Sequence, residues 1–390
     1  MTQKIVFYYG PKSGFRRHLP KRLPITTISE LAIYSDRKMR EHTFKIQSAR
    51  RGAENPEKEA ERLQVPCLVA FSEQYASISE SAINSFLSFI GQFDVGSIYL
   101  QNPPMHVVSQ FESLHSRVKT IRYDYRTLDF DCLRRINREY DGVIIGQPEV
   151  KEKLLKALYP LASGSSEKPA VLLFYGPTGV GKSETAKYLS DVMGQTLLRR
   201  QFSMFHSNEF SSYLFGGRHT GNCLAKDLME RESNVILFDE FDKPNPVFHS
   251  AFYQVFDEGI YEDRNYRADA RRALIICTSN YASAEEARER LGAPIFARFD
   301  SVIEFKPLSE ETQREILRKR IREATAALSE EERKHVDEES VAASLAWTLD
   351  GENGARGIEH AVKDKISEEL LKWALAGIIW EMSGDFAPEG

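Results

Sequence analysis

Cysteine is scarce in this chain of 390 residues: there are four, Cys67, Cys132, Cys223 and Cys277, with no CxxC pair and no histidine at ligand spacing. That leaves no zinc pattern and no disulfide framework, so a reducing, cytoplasmic setting is expected. No apolar run reaches the roughly 18 residues of a membrane span, and the opening MTQKIVFYYGPKSG lacks the apolar core of a signal peptide. Charge is not one-sided either. The net charge of -5 argues against nonspecific nucleic-acid binding as the main task, because a backbone-tracking protein needs a net basic face. The one basic cluster, Lys12, Arg16, Arg17, Lys21 and Arg22, reads as a solvated loop. No internal repeat is visible.

What is present is ordinary globular composition, 28% charged and 42% hydrophobic, in a chain long enough for two or three domains of about 100 to 200 residues each. KIVFYY (4–9), VPCLVAF (65–71), SIYL (97–100) and VKTIRY (118–123) read as strands, with helical spacing in SESAINSFLSFIGQF and MHVVSQFESLHSR between the later ones. This predicts an α/β domain over 1–125, with a polar insertion near 48–62 and no chemistry of its own. GPKSG at 10–14 faintly suggests a phosphate loop but lacks the GKS ending, and reads as a turn. The Ser/Gly-rich ASGSSEKPA (162–170) could pass for a linker. The boundary is placed earlier, at 126, because the helical PEVKEKLLKALYPL belongs with the segment C-terminal to it. From 306 on the pattern is helical: Ser309 opens a helix whose face carries Ile316, Leu317, Ile321 and Ala324. The expected division is therefore 1–125, 126–305 and 306–390.

The strongest signal is VLLFYGPTGVGKSETAKYL. An apolar strand runs into G-x-x-x-x-G-K-S, from Gly176 through Pro177, Thr178, Gly179, Val180, Gly181 and Lys182 to Ser183, a helical pattern with Ala186 and Leu189 follows, and this loop through Glu184 is expected to bind the nucleotide. Glycines let backbone N–H groups turn inward around a polyphosphate, and the new helix adds its positive end. Lys182 is expected to reach the β- and γ-phosphates of ATP, and Ser183 to ligate Mg2+. The second signal is NVILFDEFDK, where four apolar residues deliver Asp239 and Glu240 to a strand end. Asp239 suits the Mg2+ shell, and Glu240 suits a general base acting on water.

GPTGVGKSETAK, ILFDEFDKPNPVFHSAFYQVFDEGIYED and ALIICTSN together resemble the AAA+ ATPases, in particular the Clp-type unfoldases and their torsin relatives. The likeness covers 141 to about 375. It implies an α/β P-loop AAA+ module with a parallel five-stranded type of sheet and a C-terminal helical lid, behind a separate N-terminal α/β domain. It also implies roles for further residues. Ile144 and Ile145 of VIIGQ would wall the adenine pocket, and Asn280 would help to hold the attacking water. Arg298 of PIFARFD would act on the site of a neighbouring subunit, and Arg356 of GAR would lie over the phosphates. The whole implies an ATPase working as a homo-oligomeric, hexameric ring on a protein client.

One stretch departs from that pattern. In SSYLFGGRHTGNCLAKDL (211–228) the loop that carries an aromatic grip in Clp-type proteins is short, and no Tyr, Trp or Phe lies between Phe215 and Val235. His219 is the remaining candidate contact, against its reading as an exposed loop histidine. The expected function is an ATP-hydrolysing ring that remodels a protein client or assembly. The alternatives are a nucleotide-controlled switch that recruits a partner without threading it and, less favoured, a DNA-linked motor. No I/L-G-F-type protease-docking tripeptide is present.

Overall fold

The structure is a computed structural model that describes residues 4–49, 62–114, 117–205, 207–217, 221–346 and 354–383. His219, and most of the polar insertion expected near 48–62, lie outside the described residues.

Two parallel five-stranded sheets dominate the described residues. The first contains β1 (Lys4–Tyr9), β2 (Ile25–Thr27), β3 (Cys67–Ala70), β4 (Ser97–Gln101) and β5 (Val118–Arg122), in the order β2-β3-β4-β1-β5. The expected strands and intervening helices are there. The 22-residue helix Ile28–Ala49 was not anticipated.

The second sheet contains β6 (Ala170–Tyr175), β7 (Leu198–Gln201) and β8 (Val235–Asp239). The hairpin strands β9 (Ile260–Glu262) and β10 (Arg267–Asp269) come next in the chain, and β11 (Leu274–Thr278) and β12 (Ser301–Glu304) complete the sheet. Its order is β7-β8-β11-β6-β12, while β9 and β10 pair separately and antiparallel. Numbered within each sheet, both orders read 2-3-4-1-5, so an architectural repeat exists where the sequence offers no visible one.

Parallel strands covered on both faces need apolar residues at every position, and β6 illustrates this. Ala170, Leu172 and Phe174 join one buried cluster, whereas Val171, Leu173 and Tyr175 join another on the opposite face. The first of these clusters continues into the C-terminal helices through Ile316, Leu317, Ile321, Val341, Ile358 and Val362. Helix Glu310–Ala326 starts where Ser309 accepts a hydrogen bond from the Thr312 N–H, satisfying an orphan donor of the first turn. The lid thus shares a core with the sheet that carries the phosphate-loop motif. No helix among the described residues is long and apolar enough to cross a membrane.

Candidate nucleotide site

A cavity of about 850 Å³ lies at the C-terminal ends of β6, β8 and β11, the end of an open α/β sheet where ligands collect. The loop after β6 builds its floor. Gly176 has φ +131, and a Cβ there would lie 2.2 Å from the Phe305 carbonyl oxygen, so only glycine fits the turn. Gly181, at φ +103, immediately precedes helix Lys182–Val192, whose N-terminus points its free N–H groups into the cavity.

Lys182 is buried, and its ammonium donates to the carbonyls of Gly176 (2.5 Å) and Pro177 (2.7 Å) and to Asn280 Oδ1 (3.1 Å). Burial pushes its pKa down to about 8, against the opposing pull of Asp242 and Asp239. Ser183 Oγ lies 3.3 and 3.4 Å from the two carboxylate oxygens of Asp239. A hydroxyl beside a carboxylate is a hard oxygen pair that fits Mg2+, which usually completes its shell with waters and phosphate oxygens.

Asp239 also accepts from Thr278 Oγ1 at 2.5 Å and from Arg199 at 2.5 and 3.0 Å. Glu240 has φ +57, left-handed for a residue with a side chain. That conformation costs on the order of 1 kcal/mol, and the Glu240 N–H holds it by donating to Thr278 Oγ1 at 3.0 Å. Its carboxylate accepts from Gln201 Nε2 at 3.2 Å.

Most of the expected residues meet here. Thr178, Gly179, Val180, Gly181, Lys182, Ser183, Glu184, Asp239, Glu240 and Asn280 line the cavity, as do Ile144, Ile145 and Arg356. Gly176 and Pro177 stand behind the lining and contribute the carbonyls that hold Lys182. The lid reaches the loop directly, because the Ala355 N–H donates to the Gly179 carbonyl at 2.7 Å. A Cβ on Gly354 would lie 2.9 Å from Gly179 Cα, so the lid helix and the loop touch backbone to backbone.

Arg298 does not line the cavity of its own chain. Its guanidinium pairs with Asp257 at 2.8 Å and lies 4.1 Å above the Tyr253 ring. Residues the motifs did not point to include Arg199, Gln201 and Thr278, brought in from β7 and β11, and Arg320 of the lid. Gln147, the last residue of VIIGQ, links the Lys306 backbone, through 2.8 and 3.1 Å bonds, to the Val180 carbonyl at 3.3 Å. Thr278 was legible in hindsight as the first residue of TSN, whereas Arg199 carries no local signal.

A glycine loop between strand and helix, an acidic pair on the strand two places away and a polar strand end between them define a P-loop nucleotide-binding module with a helical lid. Residues 167–339 match the AAA domain (Cdc48 subfamily), and the chain is similar in sequence to AAA+ ATPases of the Clp type. It is 30% identical over 282 residues to a ClpA homolog protein from Fuscovulum blasticum, covering 64% of this chain and 35% of that protein. With chaperone protein ClpB of Chlamydia caviae the identity is 28%, over 60% of this chain and 32% of the relative. The chain thus spans about a third of the length of these curated relatives. Among solved structures, a closed-state reconstruction of Hsp104 with ATPγS and FITC casein shares the fold, with a TM-score of 0.54, 14% identity and coverage of 96% of this chain and 89% of that one.

Proposed function

We propose that this chain binds ATP with Mg2+ in the cavity, hydrolyses it, and works as a homo-oligomeric ring that remodels a protein client. The observation that carries the reading is the convergence of Lys182, Ser183, Asp239, Glu240 and Asn280 on one cavity that the lid residue Arg356 also lines. In this reading Lys182 neutralises the outer phosphates. Ser183 and Asp239 would hold Mg2+, which supplies further charge neutralisation when bound. Glu240 takes the proton of the attacking water, and Asn280 keeps that water in line. Arg298, absent from its own chain's cavity and held near the surface by Asp257, acts on the neighbouring copy. The chain divides functionally into 1–125, a large ATPase domain over 126–305 and a lid over 306–390. In this reading the client is a protein.

Phosphate release from the full chain, with and without an unfolded polypeptide such as casein, tests this reading. Glu240→Gln should retain ATP while losing turnover, and the unaltered chain should be stimulated by casein. Normal turnover in Glu240→Gln would overturn the assigned base. Turnover indifferent to casein would overturn the remodelling role and leave a nucleotide-controlled switch.

A further inference from the structure

The first sheet repeats more than the strand order of the second. Tyr8 of β1 pairs with Gln101 as Phe174 of β6 pairs with Thr278, and Tyr9 pairs with Arg122 as Tyr175 pairs with Glu304. The bonds just past the strand ends match too. The Asn102 N–H donates to the Tyr8 carbonyl at 2.7 Å, and the Ser279 N–H to that of Phe174 at 2.9 Å; Tyr123 N–H to Tyr9 and Phe305 N–H to Tyr175 are both 2.8 Å. Because Ala70 pairs with Leu100 as Phe238 pairs with Cys277, Phe71 and Ser72 stand where Asp239 and Glu240 stand. The Ser72 N–H even donates to the Gln101 side chain at 3.3 Å, as that of Glu240 donates to Thr278.

This register makes sense of GPKSG. YYGPKSG follows β1 as FYGPTGVGKSE follows β6, with 178–181 missing between proline and lysine. Gly10 has φ +147, close to the +131 of Gly176. The phosphate-cradling residues are the ones absent, and the next helix, Lys12–Arg16, is a single short turn.

The corner is filled instead. A Cβ on Gly14 would lie 2.0 Å from the Tyr8 hydroxyl, and one on Gly10 would lie 2.4 Å from Tyr123 Cβ. Phe15, fully buried, packs on Tyr8 and Phe71 at ring distances of 5.5 and 5.4 Å. Lys12 turns outward to pair with Glu73 and to lie over the Phe71 ring. No carboxylate stands at either position of the acidic pair.

The ligand end of this sheet meets the ATPase module. The Met105 N–H, just past β4, donates to the Asn265 carbonyl at the tip of the β9–β10 hairpin at 2.8 Å. Tyr9 packs against the buried cluster of the second sheet, and Tyr75 and Tyr266 are both buried. The same hairpin holds residues 214–217. Tyr261 Oη donates to the Leu214 carbonyl at 2.7 Å, the Arg264 N–H to that of Phe215 at 3.2 Å, and Asn265 Nδ2 to that of Gly217 at 3.0 Å.

We infer that the first sheet and its described helices form a second P-loop-type wedge that holds no nucleotide, and that its ligand end positions the 260–269 hairpin and, through it, residues 214–217. The part about nucleotide rests on the ATP-site reading; the positioning role does not. A domain that looks separate in sequence is therefore a bracket for the hairpin and for residues 214–217.

Two measurements on the full chain test this. Calorimetric titration with ADP and Mg2+ should give one site per chain, removed entirely by Lys182→Ala. Two sites, or a site surviving Lys182→Ala and lost when Lys12→Ala is added, would overturn the inference. No ADP binding at all would instead fail the ATP-site reading. Second, Met105→Pro removes the donor to Asn265 at a first-turn helix position that tolerates proline. Amide exchange at 260–269 and 214–217 should rise about tenfold or more, while β6, β8 and β11 stay protected. Unchanged exchange in both segments would overturn the positioning role. Should Met105→Pro unfold the first sheet, Asn265→Ala serves: it cuts only the bond to Gly217, and unchanged exchange at 214–217 would be equally adverse.

Discussion

After β1, the pair Gly10-Pro11 is followed at once by Lys12; after β6, the same pair is followed by 178–181 before Lys182 arrives. The two sheets share strand order and register, yet one ends in a cavity and the other in a packed knot of Tyr8, Phe15 and Phe71. The frame is thus independent of the chemistry. Backbone pairing sets where a ligand could sit, while the short loop and the acidic pair decide whether one does. Filling the corner with aromatic rings buries apolar area worth about 25 cal/mol per Å², which stabilises the wedge without a ligand.

The largest expected effect separates the wedges by their need for a neighbour. Arg298→Ala should lower turnover by roughly 10³-fold, the usual worth of an arginine acting on a transferring phosphoryl group, with ADP affinity kept. Unchanged turnover, measured by phosphate release, would remove the argument for a shared site. Next comes the acidic position itself. Asp239→Asn should cost about 10²-fold or more in turnover, because it weakens the Ser183, Thr278 and Arg199 contacts together. Its counterpart Phe71→Leu should leave turnover unchanged. A turnover defect in Phe71→Leu with an intact fold would show the first wedge to be coupled to chemistry.

How much of this could be read from the chain depends on the same division. The loop at 176–183 and the pair Asp239-Glu240 were legible because their chemistry is contiguous in sequence. Arg199 was not: it reaches Asp239 only because β7 runs beside β8, with Phe238 opposite Arg200 and Asp239 opposite Gln201, and no local pattern reveals which strands adjoin. The repeat stayed hidden for a related reason. Its motif lacks the residues that give the phosphate signature, and the remainder, Gly10-Pro11 between a strand and a lysine, has the look of any turn. Helix Ile28–Ala49 was missed because no strong apolar period marks it. Ser309, by contrast, caps its helix as its sequence position implied.

A smaller effect concerns pH. Burial holds Lys182 down at about 8 in the free protein. Anionic phosphates beside it would raise that value again, so binding favours the protonated form. ADP affinity should be flat below about pH 8 and fall as pH rises beyond it, by at most about tenfold per unit. Titrations from about pH 7 to about pH 9.5 check this, and an affinity that stays level through that range would mean Lys182 does not face the phosphates.

The least effect is expected at the other lysine, and for that reason it probes the comparison most directly. Lys12 occupies the helix-start position that Lys182 occupies in the second wedge, but its ammonium lies 4.8 Å above the Phe71 ring and pairs with Glu73, with the two charged side chains 43% and 53% exposed. An exposed pair with an exposed cation–π contact contributes about 1 kcal/mol or less. Lys12→Ala should therefore shift the urea unfolding midpoint slightly and leave ATP turnover and ADP stoichiometry as they were. A fall in ADP binding would mean that the corner after β1 opens to phosphate in solution despite Tyr8 and Tyr123, and the two wedges would then differ in affinity and no longer in kind.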